Sequence, residues 1–217
     1  MELKIHYMDP EILVCEKPSG TLSEGDSPIS LPTILCDFLR QRGEDGALFP
    51  VHRLDKETTG LVVLARKPKA AAELSRSITE GLFQKEYLAA ICGTPQETEG
   101  CWTDLLFYDR NRGKSFVVDR KRKGVKEATL SYRVIESDGN RSVVRVRLHT
   151  GRTHQIRVQF SSRGLPLVGD RRYGAPAEEG RQLMLHAAYL QFPHPKSGKS
   201  MEFFSLPCWE GEVLKKS

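Results

Sequence analysis

The six-residue run Gly60-Leu61-Val62-Val63-Leu64-Ala65 constrains this chain most. It is far shorter than the ~18 apolar residues of a membrane span. A short, nearly all-apolar run bounded by polar residues reads as a strand buried on both faces. Such a strand must lie in a sheet with covering layers. Directly ahead of it stands the most charged point between two apolar segments, His52-Arg53-Leu54-Asp55, followed by Lys56-Glu57-Thr58-Thr59.

Other elements follow from period and punctuation. Ile12-Leu13-Val14-Cys15 reads as a short buried strand, ended by the turn signal Lys17-Pro18-Ser19-Gly20. Residues 21–32 are rich in Ser, Gly, Pro and acids and read as an exposed loop. Apolar residues at 31, 34, 35, 38 and 39, closed by Gly43, predict a helix over 31–42. Residues 68–81 begin with Pro, hold good helix formers and end in Gly, so a second helix is expected there. Residues 83–92 return as a strand, with Phe83, Lys85, Tyr87 and Ala89 on one face.

Residues 129–135 and 142–148 alternate, so Arg145 and Arg147 share a basic face opposite Val144, Val146 and Leu148. A helix over 152–163 is expected after Thr150-Gly151, and further strands at 182–192 and 200–204. Strands dominate, with two or three helices and short connections. The expected class is α+β: a mixed, largely antiparallel β-sheet with packed helices. No composition break forces a second domain, so residues 1–217 are expected to form one catalytic-size domain.

The charge balance, 33 Lys and Arg against 28 Asp and Glu, gives +5, which permits an RNA or DNA partner without requiring one. Residues 109–126 concentrate Lys and Arg and read either as a solvated hairpin or as a polyanion contact. The five cysteines are widely spaced and form no CxxC pair, so no zinc site and no disulfide framework is expected. With no membrane span and no apolar signal-peptide core, the expected location is the cytoplasm. P-loop, GxGxxG, GxSxG and HExxH patterns are absent.

Chemistry-bearing residues gather at two places. Asp55, at the mouth of a buried strand, is partly desolvated and needs a cation partner; its alternative role is to cap a turn, with Thr58 and Thr59 beside it. The second cluster is Gly151-Arg152-Thr153-His154-Gln155-Ile156-Arg157. On a helix, Thr153 and Arg157 share a face while Arg152 and His154 point elsewhere. Either cluster also admits a purely structural role, and Tyr87 alone is an ordinary sheet tyrosine.

Five ordered blocks decide between these roles: HRLDKETTGLVVLAR, QKEYLAAICG, LHTGRTHQIRVQF, LVGDRRYG and LMLHAAYL. Together with the opening ILVCEKPSG they resemble the RluA-type pseudouridine synthases over nearly the whole chain. The resemblance implies an isomerase that converts selected uridines of structured RNA, ribosomal or transfer, into pseudouridine without metal or organic cofactor. It makes Asp55 the catalytic carboxylate, acting at the ribose as a nucleophile on C1′ or as a base toward the C2′ proton. Arg157 would hold Asp55 ionised, Tyr87 would stack on the uracil, and Leu185 would pack on the base from the other side. Arg53 would fill the gap left by a flipped-out base. His52, Arg152 and His154 would make phosphate or sugar contacts.

Two departures from the family pattern stand out. Thr58-Thr59-Gly60 replaces the usual Thr-Ser-Gly but keeps a hydroxyl, and Gln159 stands where many relatives carry His. An opening strand near Ile12 leaves no room ahead for the family's S4 domain, so a stand-alone catalytic domain is expected, and a monomer, since no exposed apolar seam is visible. An RNA-binding protein without catalysis and a nucleosidase acting on free nucleoside are the competing functions. An activity assay and a salt-dependent affinity for structured RNA separate them.

Overall fold

The computed structural model of the chain describes residues 3–44, 46–178 and 182–209. In chain order its elements are β1 (Ile5–Met8), β2 (Ile12–Lys17), α1 (Leu31–Gln41), β3 (Phe49–Pro50), β4 (Thr59–Ala65), α2 (Pro68–Thr79) and β5 (Gln84–Cys92). There follow β6 (Glu99–Asp109), β7 (Lys114–Val118), β8 (Val125–Ser137), β9 (Arg141–Leu148), α3 (Gln155–Ser161), a 3-10 turn (Arg171–Tyr173), β10 (Leu185–Pro193) and β11 (Ser200–Phe204). They group into two compact units, Met1–Lys85 with His186–Pro207, and Glu86–Leu185 with Cys208–Ser217. The class is α+β, mixed and largely antiparallel, as expected from the sequence.

In the first unit β2 and β4 run antiparallel, with Ile12 opposite Ala65 and Lys17 opposite Gly60. β1 flanks β2, β3 pairs with β4, and β11 pairs with β10, all antiparallel. β10 lies parallel to β4, with Ala187 opposite Gly60. Alternate residues of β2 and β4 (Ile12, Val14, Leu61, Val63, Ala65) cluster with Ala70 and Leu74 of α2 and with Phe83, Leu190 and Phe192. The intervening Leu13, Cys15, Val62 and Leu64 are equally buried, so β4 is covered on both faces. Gly60 is fixed by sterics. Its φ is +108°, and a Cβ there would lie 2.4 Å from the Ala187 carbonyl oxygen.

α1 starts at an N-cap, where Ser30 Oγ accepts from the Thr33 N–H, and buries Leu31, Leu35 and Leu39 along one stripe. The predicted strand at 83–92 and helices at 31–42 and 68–81 agree with β5, α1 and α2 to within two residues.

The second unit is an antiparallel sheet in the order β5, β9, β8, β6, β7. Tyr87 sits opposite Val146, which sits opposite Tyr132. This face carries α3: Phe160 meets Trp102 and Tyr132, and Val158 clusters with Leu106, Ala128 and Tyr173. Arg145 and Arg147 are exposed on the other face. β6 is a strand that sequence periodicity does not predict.

The helix expected over 152–163 is shorter, beginning only at Gln155. Gln155 is the reason. Its Oε1 accepts from Thr150 Oγ1 and the Arg152 N–H, and its Nε2 donates to the Thr129 carbonyl. These bonds hold residues 150–154 in a turn outside the helix. Thr153 therefore shares no helix face with Arg157.

Candidate active site

Asp55 lies in a loop that the preceding turn clamps from several directions. The hydroxyl of Ser23 accepts from the Leu54 N–H and donates to the Leu54 carbonyl, each at 2.9 Å. The Gly20 N–H donates to the Lys56 carbonyl, and Ser19 Oγ donates to the Glu57 carbonyl. The Thr58 N–H closes a turn onto the Asp55 carbonyl at 3.0 Å. Beneath them Lys17 is fully buried, and its ammonium donates to the carbonyls of Pro18 (3.0 Å), Thr21 (2.8 Å) and Lys56 (2.9 Å). Three acceptors match the three N–H donors of an ammonium. Burial lowers the Lys17 pKa to about 8, while the charges of Asp55 and Glu57 pull it back up. A cation thus acts on Asp55 from within its own unit.

Lys17 and Ser23 were not singled out from the sequence. The usable signal was the pairing of two turn motifs, Lys17-Pro18-Ser19-Gly20 and the segment after His52-Arg53-Leu54-Asp55. Both flank apolar runs that pair as strands.

The remaining residues of the first cluster separate. Arg53 is exposed, and its Nη1 lies 2.7 Å from Glu24 Oε1. His52 is tied to the fold: its Nε2 accepts from the Val63 N–H at 3.1 Å and its ring packs 5.2 Å from Phe83. Burial, helped by the Lys85 charge, lowers its pKa well below the ordinary histidine value. Its Nδ1 is enclosed and without a hydrogen-bond partner. The ring is thus held in place by the packing of the first unit.

Thr59 shows what its hydroxyl does. Ser205 Oγ donates to Glu16 at 2.6 Å, so it accepts from His186 Nε2–H at 2.9 Å, which leaves His186 Nδ1 to accept from Thr59 Oγ1 at 2.8 Å. Serine would donate equally well.

In the second unit Tyr87 is 5% exposed, on the sheet face that carries α3. Leu185, at the start of β10, is buried. Arg157, in the middle of α3, forms a bidentate pair with Asp170, Nε to Oδ2 at 2.7 Å and Nη2 to Oδ1 at 2.8 Å. Its guanidinium carbon lies 5.2 Å from the Tyr173 ring centroid. Asp170 is delivered by Gly169, whose φ of +78° and close approach to the Gln182 carbonyl exclude a side chain. The LVGDRRYG block contained Asp170 and Tyr173, but no role followed from its composition.

His154 has φ +55°, the one positive value among the described non-glycine residues. Such a conformation costs of order 1 kcal/mol and must be held by its surroundings. Here Tyr173 holds it. The Tyr173 hydroxyl accepts from the Ser115 N–H at 2.7 Å, so its proton goes to His154 Nδ1 at 2.9 Å. Burial pushes the Tyr173 phenol up to about 12, keeping that proton in place. Arg152 folds back, donating from Nε to the Glu127 carbonyl at 2.9 Å. Gln159, the departure from the family pattern, donates to Asp104 at 2.7 Å, while its Oε1 is buried without a partner.

The family model of RNA pseudouridylate synthase matches residues 11–162, a span that draws on both units. The dual-specificity RNA pseudouridine synthase RluA of Escherichia coli is 35% identical over 206 residues, covering 93% of this chain and 91% of that protein. Ribosomal large subunit pseudouridine synthase D of Zymomonas mobilis is 35% identical over 217 residues, covering 93% of this chain and 68% of that protein. The structure of human RNA pseudouridylate synthase domain-containing protein 4 superposes with a TM-score of 0.81 at 24% identity. It covers 97% of this chain and 91% of that one. The chain therefore belongs to the RNA pseudouridylate synthase family, isomerases that convert uridine to pseudouridine.

Proposed function

We propose that this chain isomerises specific uridines in ribosomal or transfer RNA, with Asp55 acting at the ribose of a flipped-out uridine. The observation that carries this is the clamped loop around Asp55. Ser23 and Lys17 fix its backbone, so a carboxylate there is held in one place without help from a substrate. Preorganisation of that kind is what a group acting at a sugar carbon needs.

In this reading Asp55 attacks C1′ or takes the C2′ proton, the N1–C1′ bond breaks, the uracil turns, and C5 bonds to C1′, displacing the Asp55 oxygen from C1′ in the first route or with the proton returned from Asp55 to C2′ in the second. The C5 proton is lost and N1 regains one, so the reaction is a balanced isomerisation. Arg157, anchored by Asp170, supplies positive charge for the carboxylate. Tyr87 stacks on the uracil and Leu185 packs against its other face. Arg53 leaves Glu24 to fill the gap in the RNA. The relatives' names, one a dual-specificity RNA pseudouridine synthase and one a ribosomal large subunit pseudouridine synthase, support RNA, ribosomal RNA included, as the substrate class.

The whole chain works as one catalytic domain, as a monomer, in the cytoplasm. Among the described residues no helix is long and apolar enough to cross a membrane.

The test is pseudouridine mapping of total RNA by carbodiimide chemistry and sequencing, from hosts with and without the gene. A site lost on deletion, and restored by wild type but not by Asp55→Ala, is the expected outcome. No site changing under any growth condition contradicts the proposal.

A further inference from the structure

The edge of β4 away from β2 is covered in two pieces. β3 pairs with it at Leu64 and Ala65, and β10 pairs with it at Thr59 and Gly60. The Val63 amide falls between them. Val51 is next in register with Val63, but β3 is only 2 residues long and stops at Pro50. The acceptor of the Val63 N–H is instead His52 Nε2, at 3.1 Å. An imidazole nitrogen thus stands in for a strand carbonyl, and a side chain satisfies the amide.

Accepting at Nε2 fixes the state of the ring. A neutral imidazole with its lone pair on Nε2 carries its proton on Nδ1. Protonation at Nε2 would set two donors against each other. Burial and the positive charge of Lys85 keep the ring neutral. The Phe83 ring that packs on His52 at 5.2 Å also carries Lys85 Nζ, 5.5 Å from its centroid. In this tautomer the Nδ1–H is enclosed and without an acceptor. An apolar ring would leave the Val63 N–H unpaired instead, so either ring strands one buried donor. Stability alone therefore gives little preference for histidine. What the imidazole adds is a fixed link between the Asp55 loop and β4.

That link completes the set of holds around Asp55. Ser23 holds Leu54 and Lys17 holds Lys56, on either side of it. His52 holds the chain three residues ahead, just past β3. We propose that His52 is a positioning residue for Asp55: its neutral imidazole fills the gap between β3 and β10 and fixes the loop that carries the carboxylate onto β4. In this role it acts through Asp55 and not on the RNA. The inference rests on the proposed function of Asp55 and deepens it, naming what registers the carboxylate against the sheet.

The test compares His52→Phe, which keeps a packed ring and removes the acceptor, with His52→Gln, whose Oε1 can take the place of Nε2. Single-turnover pseudouridine formation on saturating transcripts of host ribosomal and transfer RNAs gives the rate, and RNA titration gives Kd. Hydrogen exchange reports protection of the Val63 amide and of residues 53–57. His52→Phe should lose roughly 10- to 100-fold in rate, keep a Kd near wild type and lose the Val63 protection. Across the variants the rate should follow that protection, with His52→Gln nearer wild type. Nitrogen NMR of the wild-type imidazole at neutral pH should show an uncharged ring with its proton on Nδ1. If His52→Phe does not fold, His52→Gln and the wild-type tautomer decide.

A slow variant with Val63 protected, or a wild-type rate with Val63 unprotected, overturns the proposal. So does a raised Kd at unchanged rate, or a wild-type ring that is charged or carries its proton on Nε2. If exchange and tautomer agree with the proposal but wild type forms no pseudouridine, the isomerase reading falls while the His52 link to the loop stands. The two failures are thereby distinguished.

Discussion

Arg157 and Asp170 form a buried, two-pronged ion pair, at 2.7 and 2.8 Å, with side chains 3% and 1% exposed. The pair ties the centre of α3 to the loop before the 3-10 turn. It fixes the guanidinium plane, so the direction in which the remaining N–H groups point is set by the fold. Breaking such a pair leaves a buried charge without its partner, at a cost of about 3–5 kcal/mol. Asp170→Ala should therefore lower stability by about that amount in urea unfolding. Arg157→Lys cannot reproduce the fork and should lose most turnover while unfolding at a lower midpoint. Wild-type stability in Asp170→Ala would show that the pair is not needed.

Lys17 bonds three carbonyls around the Asp55 loop. Lys17→Met keeps the volume but removes all three donors and strands the carbonyls of Pro18 and Thr21. Unsatisfied buried groups cost ~1–3 kcal/mol each, so a loss of about 2–4 kcal/mol is expected. Turnover should fall further than stability at pH 7 explains, because the loop carrying Asp55 loosens. Urea unfolding alongside initial rates separates the two effects. Equal rates for folded variant and wild type would contradict the clamp.

Gly60 accepts no side chain without opening β4 from β10, since a Cβ would approach Ala187 backbone atoms at 2.4 to 2.9 Å. Gly60→Ala should destabilise the first unit by about 2–4 kcal/mol, through strain at positive φ and steric clash. Gly139→Ala is the comparison: it has a similar positive φ but open space around it, so it should cost about 1 kcal/mol. Thermal midpoints of the two variants that fall together would refute the steric explanation.

His186 is buried between Thr59 and Ser205, and burial lowers its pKa to about 4. The sign follows directly. The folded form stays neutral while the unfolded form takes up a proton below the ordinary histidine value of 6.5. Stability is therefore full above pH 6.5 and is lost as the pH falls toward 4, by up to roughly 3 kcal/mol. His52 contributes in the same direction. His186→Gln should be less stable at pH 7.5 yet lose less between pH 6.5 and 4, measured by denaturant titration at each pH. Parallel curves for variant and wild type would count against the assignment.

Much of the proposed site is legible in the sequence because its residues fall in dense motifs beside apolar runs. Asp55 and Arg157 stand in such motifs, Tyr87 is marked only by the family resemblance, and the buried strand 60–65 fixes where the first motif sits. What escaped was set by tertiary register. Lys17 belonged to a motif that reads only as a turn, and it becomes a clamp because it lies opposite Gly60. Asp170 meets Arg157 only through the loop between α3 and the 3-10 turn. Residues 99–109 mix exposed, half-buried and buried positions without strict alternation, so period alone does not reveal β6. The start of α3 was misjudged because a glutamine side chain and one left-handed histidine, neither visible as a helix signal, turn the chain at 150–154.

The most direct measurement is release of tritium from RNA labelled at uridine C5, using purified wild type, Asp55→Asn and Asp55→Ala on transcripts of the host's ribosomal and transfer RNAs. Wild type should release tritium in proportion to pseudouridine formed. Both variants should release none while remaining folded and still binding RNA. Turnover by folded Asp55→Ala at a rate near wild type would contradict the central role given to Asp55.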